Sequence, residues 1–140
     1  MNYQVHTVGA LASAYGIIEV SSKIGIKASP LVFIAGALLG GLLPDIDNPD
    51  SKIGRLFILS GLIYKKFGHR YFFHSLLFVF ITGALLSLFD FIFGAGVMIG
   101  MLSHLILDLI GLGNGVALLY PLNKNKISIR STKHNKKTNI

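Results

Sequence analysis

Asp45 and Asp47 stand one residue apart in PDIDNP, Pro44–Pro49, directly after the apolar run LVFIAGALLGGLL of Leu31–Leu43. Acids and prolines stop a helix, but two carboxylates held close repel each other unless a cation or a proton lies between them. If the segment is extended, both point to one side at the period of two, and the flanking prolines limit their freedom. In SHLILD, His104 and Asp108 are four residues apart, which on a helix puts them on one face, one turn from each other. They can share an ion or hydrogen-bond each other. GHRYFFHS adds His69 and His74, which on a single helix would diverge by about 140°. With a helix starting near Tyr71, His69 lies in the preceding loop and His74 is the better-placed ligand. The chain has no cysteine, so any metal must be held by His, Asp or Glu.

These residues are embedded in an apolar sequence. Of 140 residues 52% are hydrophobic and 14% charged, against about a quarter charged in soluble proteins, so the expected class is an all-α polytopic membrane protein. Four spans are expected: His6–Ser22, Ser29–Leu43, Tyr71–Phe89 and Phe91–Ile110. A short interfacial helix is expected over Leu56–Phe67, whose Leu, Phe, Ile and Tyr are mixed with Lys65 and Lys66. Small residues four apart, Gly9 with Ser13, Gly36 with Gly40 and Gly96 with Gly100, suit close helix packing. Residues 1–122 read as one membrane-embedded domain and 123–140 as a basic, mobile tail. The first eight residues lack a basic n-region, so the spans are expected to be retained rather than cleaved.

The net charge of +7 is unevenly placed, with six of the 13 Lys and Arg in the tail and five between Pro44 and Arg70. The positive-inside rule then puts both termini in the cytoplasm of a bacterial inner-membrane type protein. On that topology His6, Asp45, Asp47, His69, His74, His104 and Asp108 all lie at the cytoplasmic face. The opposite face offers Glu19 and Asp90.

Each cluster has a plainer reading. The aspartate pair is as well explained by a helix stop, and His104 with Asp108 by a structural hydrogen bond. Asp50 and Asp90 fall in loops, and His134 in the solvated tail. Ionisable groups in membrane spans are nevertheless costly, on the order of 2.5–3.5 kcal/mol for an Asp at mid-depth, so the convergence of several favours function. If the site is catalytic, hydrolysis by metal-bound water is the chemistry expected of it, in keeping with the family resemblance given below, with Asp47 or Asp108 as base and Arg70, and Arg55 after it, binding an anionic group. The expected substrate is a phospholipid or another amphipathic phosphoester. Zinc is favoured over manganese or iron, as one or two ions. The rival classes are a small metal-ion or proton transporter and a non-enzymatic membrane scaffold. No specific nucleic-acid partner is expected, since cytoplasmic positive charge explains the tail. HExxH and GxSxG motifs are absent.

PDIDNPDS, GHRYFFHSLL and SHLILDLI followed by LYPL, with His6 ahead of a small-residue helix, together resemble the YdjM-type membrane-bound metal-dependent hydrolases, a LexA-regulated inner-membrane family. The resemblance covers residues 6–122. It implies a four-helix membrane protein with a divalent metal held by His6, Asp45, Asp47, His74, His104 and Asp108, with His69 and Arg70 in the step before the second histidine. Tyr71 and Phe73 stand where the family often has Gly and Thr, and Gly111 where a Thr is usual, so the surroundings of the ligands are expected to differ. The His-x-x-x-Asp helix also resembles, in metal-binding pattern alone, that of zinc-dependent phospholipases C.

Overall fold

In a computed structural model, residues 3–111 and 115–129 are described, and every regular element within them is helical. Six α-helices follow one another: α1 Tyr3–Lys23, α2 Pro30–Leu42, α3 Lys52–Leu56, α4 Ser60–Phe67, α5 Leu76–Ser87 and α6 Phe91–Gly111. Two 3-10 turns, Leu43–Asp47 and Phe72–His74, carry acids and a histidine between them. The all-α expectation holds; among the described residues the one extended pairing is an isolated bridge between Val116 and Ile127.

Two of the four expected spans are helices long and apolar enough to cross a membrane: α2 with its 3-10 continuation, Pro30–Asp47, and α6. α1 has the length, with 21 residues, but Ser13, Tyr15 and Glu19 dilute its apolar character. α5 has 12 residues, about 18 Å at 1.5 Å per residue, against a hydrocarbon layer of about 30 Å. Its expected start near Tyr71 moves to Leu76. Ser75 is the reason: its hydroxyl accepts the Phe78 N–H at 3.2 Å and donates to the Phe72 carbonyl at 2.7 Å, capping α5 and closing the 3-10 turn before it. Of the interfacial helix expected over Leu56–Phe67, only Ser60–Phe67 forms α4; Leu56 ends the separate short helix α3, and residues 57–59 are not helical.

Packing centres on α2 against α6. A Cβ at Gly36 or Gly40 would collide with the backbone oxygens of Phe93 and Val97, and one at Gly96 or Gly100 with those of Phe33 and Ala37. The small-residue spacing therefore serves this crossing, where the two backbones touch. α1 closes on the same ridge, since a Cβ at Gly41 would come within 2.7 Å of the Ala10 methyl. Val79, Val97, Met101 and Leu105 form the core between α5 and α6. Asp90, expected in a loop, caps α6 by accepting the Phe93 N–H at 2.8 Å.

Beyond α6 the chain returns over the loop before α5. Ala117 N–H donates to the Arg70 carbonyl at 3.1 Å, Leu76 N–H to Leu118 at 2.9 Å, and Ile129 N–H to Leu109 at 2.9 Å. Residues 123–129, expected within a mobile tail, thus pair back through Ile127, which exchanges two 2.9 Å hydrogen bonds with Val116. The tail beyond residue 129, with His134, lies outside the described residues.

Gly100→Val should separate α6 from α2 and cost about 3 kcal/mol, the upper range for overpacking, seen as a lower thermal midpoint in detergent. Gly16→Ala, with nothing within 4 Å of the new methyl, should leave the midpoint unchanged or slightly raised.

Candidate metal centre

The end of α2 decides where the aspartates go. PDIDNP is not extended: Leu43–Asp47 is a 3-10 turn, so side chains two residues apart diverge instead of sharing a side. Asp45 turns toward α6 and Asp47 toward the loop before α5. Ser51 holds this turn, donating to the Asp45 carbonyl at 2.7 Å while accepting the Gly54 N–H at 2.9 Å as the cap of α3.

α6 presents His104 and Asp108 from one face, as their spacing requires, and both are buried. His104 Nδ1 lies 2.8 Å from the Gly41 carbonyl, which can only accept, so Nδ1 carries the proton and Nε2 keeps its lone pair. That lone pair faces Asp45 Oδ1 and Asp108 Oδ2, each at 3.7 Å. His74 Nε2 meets the same two oxygens, Asp45 Oδ1 at 3.9 Å and Asp108 Oδ2 at 3.5 Å. These approaches link four donor atoms from the turn after α2, the loop before α5 and α6, and those of Asp45, His74 and His104 are close enough together to hold one ion. His6 completes the buried group from α1: its ring stacks on His104 with centroids 3.6 Å apart, and its Nε2 is 3.5 Å from Asp108 Oδ1.

Asp47 works behind this group. Its Oδ1 accepts from His69 Nδ1 at 2.8 Å; its Oδ2 accepts the Arg70 N–H at 3.3 Å and lies 3.4 Å from His74 Nδ1. The two histidines that a single helix would splay are thereby brought edge to face, with ring centroids 5.2 Å apart. Arg70 adopts a positive φ of 68°, a backbone conformation costly for a non-glycine residue, and its guanidinium reaches back to Asp108 with Nε 3.7 Å from Oδ2.

His6, Asp47, His74 and His104 are 0% exposed and Asp108 1%, so no bulk water offsets their polarity. Both nitrogens of His6 and of His74, and Nε2 of His104, are buried without a hydrogen-bond partner. Each such group costs roughly 1–3 kcal/mol. With carboxylates ionised and imidazoles neutral, Asp45, Asp47 and Asp108 against Arg70 leave two negative charges, which one divalent cation balances. The residues fit such an ion. Tetrahedral ligands about 2.1 Å from zinc are about 3.4 Å apart, close to the 3.5–3.9 Å measured between the imidazole and carboxylate donors. His6, His104 and Asp108, Asp45, His74 and His104, and Asp47, His69 and His74 form three overlapping groups whose donor atoms are close enough to hold a metal ion.

All seven expected ligand candidates converge here, together with Arg70. Arg55 does not: it is exposed on α3 and makes no ion pair or side-chain hydrogen bond among the described residues. Residue types held no signal for two further participants. The Gly41 carbonyl acts through its backbone, and Lys126 was hidden among the tail's basic residues; its ammonium donates to the His69 carbonyl at 3.2 Å.

A helical, membrane-type bundle that gathers His and Asp from α1, α2, α6 and an intervening loop into one buried centre is the class these features define. The chain belongs to the YdjM family: the family described as YdjM inner membrane protein matches it over residues 1–140. It is 41% identical over 124 residues to YvsG of Bacillus subtilis, described as an uncharacterized protein, covering 86% of this chain and 74% of that one. It is 42% identical over 99 residues to the inner membrane protein YdjM of Escherichia coli and, to the same extent, of Shigella flexneri, covering 63% of this chain. The matched region spans 48% of those YdjM proteins' length. No solved structure matches. Family membership and the two long apolar helices support a membrane location.

Asp47→Ala should strip the acceptor from His69 and from the Arg70 N–H and remove the carboxylate beside His74, destabilising the fold by about 3 kcal/mol, against about 1 kcal/mol for Asp47→Asn. Denaturant or thermal unfolding in detergent measures both.

Proposed function

We propose that the protein is a membrane-bound, metal-dependent hydrolase acting on a phosphoester or lipid-like substrate at the cytoplasmic membrane face, with both termini on that side. The observation that carries this reading is that His74 Nε2 and His104 Nε2, neither with a hydrogen-bond partner, each face Asp45 Oδ1 and Asp108 Oδ2 at 3.5–3.9 Å. Zinc suits two imidazoles and two carboxylates best, with manganese or iron as alternatives. Such an ion supplies Lewis acidity toward a phosphoryl or carbonyl oxygen and eases the deprotonation of water.

The chain's own residues divide the remaining work. Asp47 has both oxygens engaged by His69 and Arg70, so its part is to hold His74 with Nε2 facing inward. The Gly41 carbonyl does the same for His104. Asp108 turns one oxygen toward His74 and His104 and the other toward His6, so it can take a proton on Oδ1 and pass it to the His6 ring 3.5 Å away. Arg70 supplies the fixed positive charge for an anionic group, its guanidinium lying with Nε 3.7 Å from Asp108 Oδ2. The donors sit at the α2 terminus and in the last two turns of α6 rather than mid-span, which favours an interfacial hydrolase over a transporter.

Protein purified in mild detergent should carry close to one equivalent of zinc, manganese or iron by elemental analysis. Asp45→Ala and His104→Ala should lose it, with metal addition raising the thermal midpoint of the parent alone. A parent without stoichiometric metal, and without stabilisation on adding any of the three, would remove this reading.

A further inference from the structure

The returning segment after α6 brings a charge to the centre that the hydrolase reading does not use. Lys126 is anchored twice: its Nζ donates to the His69 carbonyl at 3.2 Å and lies 4.3 Å from the centroid of the Tyr71 ring. Residues 69 and 71 flank Arg70, whose carbonyl is held by the Ala117 N–H of the same segment at 3.1 Å. The Val116–Ile127 bridge joins the two ends of this clasp, so Ala117 and Lys126 reach residues 69–71 as one unit. The Lys126 ammonium is exposed on its outer side, and the bond to His69 uses one of its three donors.

Arg70 is the second observation. The residue is 9% exposed, its Nε is buried without a hydrogen-bond partner, and no side-chain hydrogen bond of Arg70 occurs among the described residues. A guanidinium offers five donors in a planar fork matched to phosphate, and here its nearest acid, at 3.7 Å, is beyond hydrogen-bond range. The two cations sense each other: the Lys126 pKa is lowered, first by burial and next by the Arg70 charge, while Asp47 pulls it the other way. Lys126 Nζ rests on the residues either side of Arg70, so a guanidinium and an ammonium with unused donors are offered from one short turn, and such donors suit a phosphate. A single divalent ion would already neutralise the carboxylates against Arg70, so Lys126 would be surplus positive charge at the rim.

We propose that Arg70 and Lys126 together form a phosphate-binding subsite beside the metal centre, with Lys126 delivered by the folded-back segment 115–129 as the rim cation that admits an anionic phosphate group. This deepens the hydrolase reading by adding Lys126 to Arg70 as the residues that bind its substrate's phosphate, and it rests on that reading for the adjacent chemistry. The shared ligand chemistry is a phosphate monoester or diester, free or carried on a lipid.

The test uses the full-length protein in detergent, as parent, Lys126→Met and Lys126→Arg. Titration calorimetry with inorganic phosphate and, separately, with dihexanoyl phosphatidic acid reads affinity, and elemental analysis reads metal content. Lys126→Met should weaken phosphate binding by about tenfold at unchanged metal content, Lys126→Arg should remain within about twofold of the parent, and added salt should narrow the difference. Tighter binding of the phosphatidic acid would assign the subsite to lipid-borne phosphate, and tighter inorganic phosphate to a free ester. Equal affinities in parent and Lys126→Met, no phosphate binding by the parent, or equal losses of phosphate and metal in both variants would each overturn the subsite, the last reducing Lys126 to a clamp on the loop. A metal-free parent that binds phosphate through Lys126 would instead sink the hydrolase reading and leave the subsite standing.

Discussion

Carboxylates and imidazoles cannot share a water-free pocket without either a proton or a cation to hold them, and that constraint organises this molecule. Asp47 and Asp108 are almost wholly removed from solvent, and Asp45 nearly so. Arg70 meets part of the charge, and backbone groups meet part of the hydrogen-bonding demand. What stays unmet is gathered on one side of the group, where lone pairs of His74 and His104 face carboxylate oxygens at distances suited to a shared ion. The plain hydrogen-bond reading of His104 with Asp108 does not fit, since the atoms are 3.7 Å apart and the His104 proton is committed to Gly41.

The glycine-lined crossing of α2 and α6 makes this concentration feasible. With no side chains between them, the backbones approach until the Gly41 carbonyl reaches His104 and the turn following α2 reaches the face of α6 that carries Asp108. Close packing here also replaces the driving force that a lipid environment withholds, because apolar side chains gain little by leaving lipid for protein. The same small residues thus stabilise the bundle and set the width of the centre.

The loop before α5 is where local structure and site depend most on each other. Ser75 starts the helix late, so His69 to His74 are released from helical spacing and can turn around Asp47. The positive φ of Arg70 belongs to the same turn, and the segment after α6 clamps it from outside. Tyr71 and Phe73 pack among aromatic rings: Tyr71 against Tyr120, and Phe73 against Phe67, Phe72 and Phe78.

By itself the sequence determined the helical class, four candidate spans of which α2 and α6 are long and apolar enough to cross a membrane, the small-residue pairs that suit close helix packing, and the histidines and aspartates that are buried together among the described residues. These follow from composition and from side-chain periodicity along one element, which are local properties. Tertiary structure alone decided that Asp45 and Asp47 part company in a 3-10 turn, that His69 and His74 meet, that α5 begins after them, and that a tail lysine folds back to the centre. Those outcomes depend on hydrogen bonds between groups distant in the chain: Asp47 with His69, Gly41 with His104, Ile127 with Val116 and Lys126 with His69. Backbone carbonyls and N–H groups are the same at every residue, so their partners leave no mark in residue type or spacing and exist only once the elements have packed.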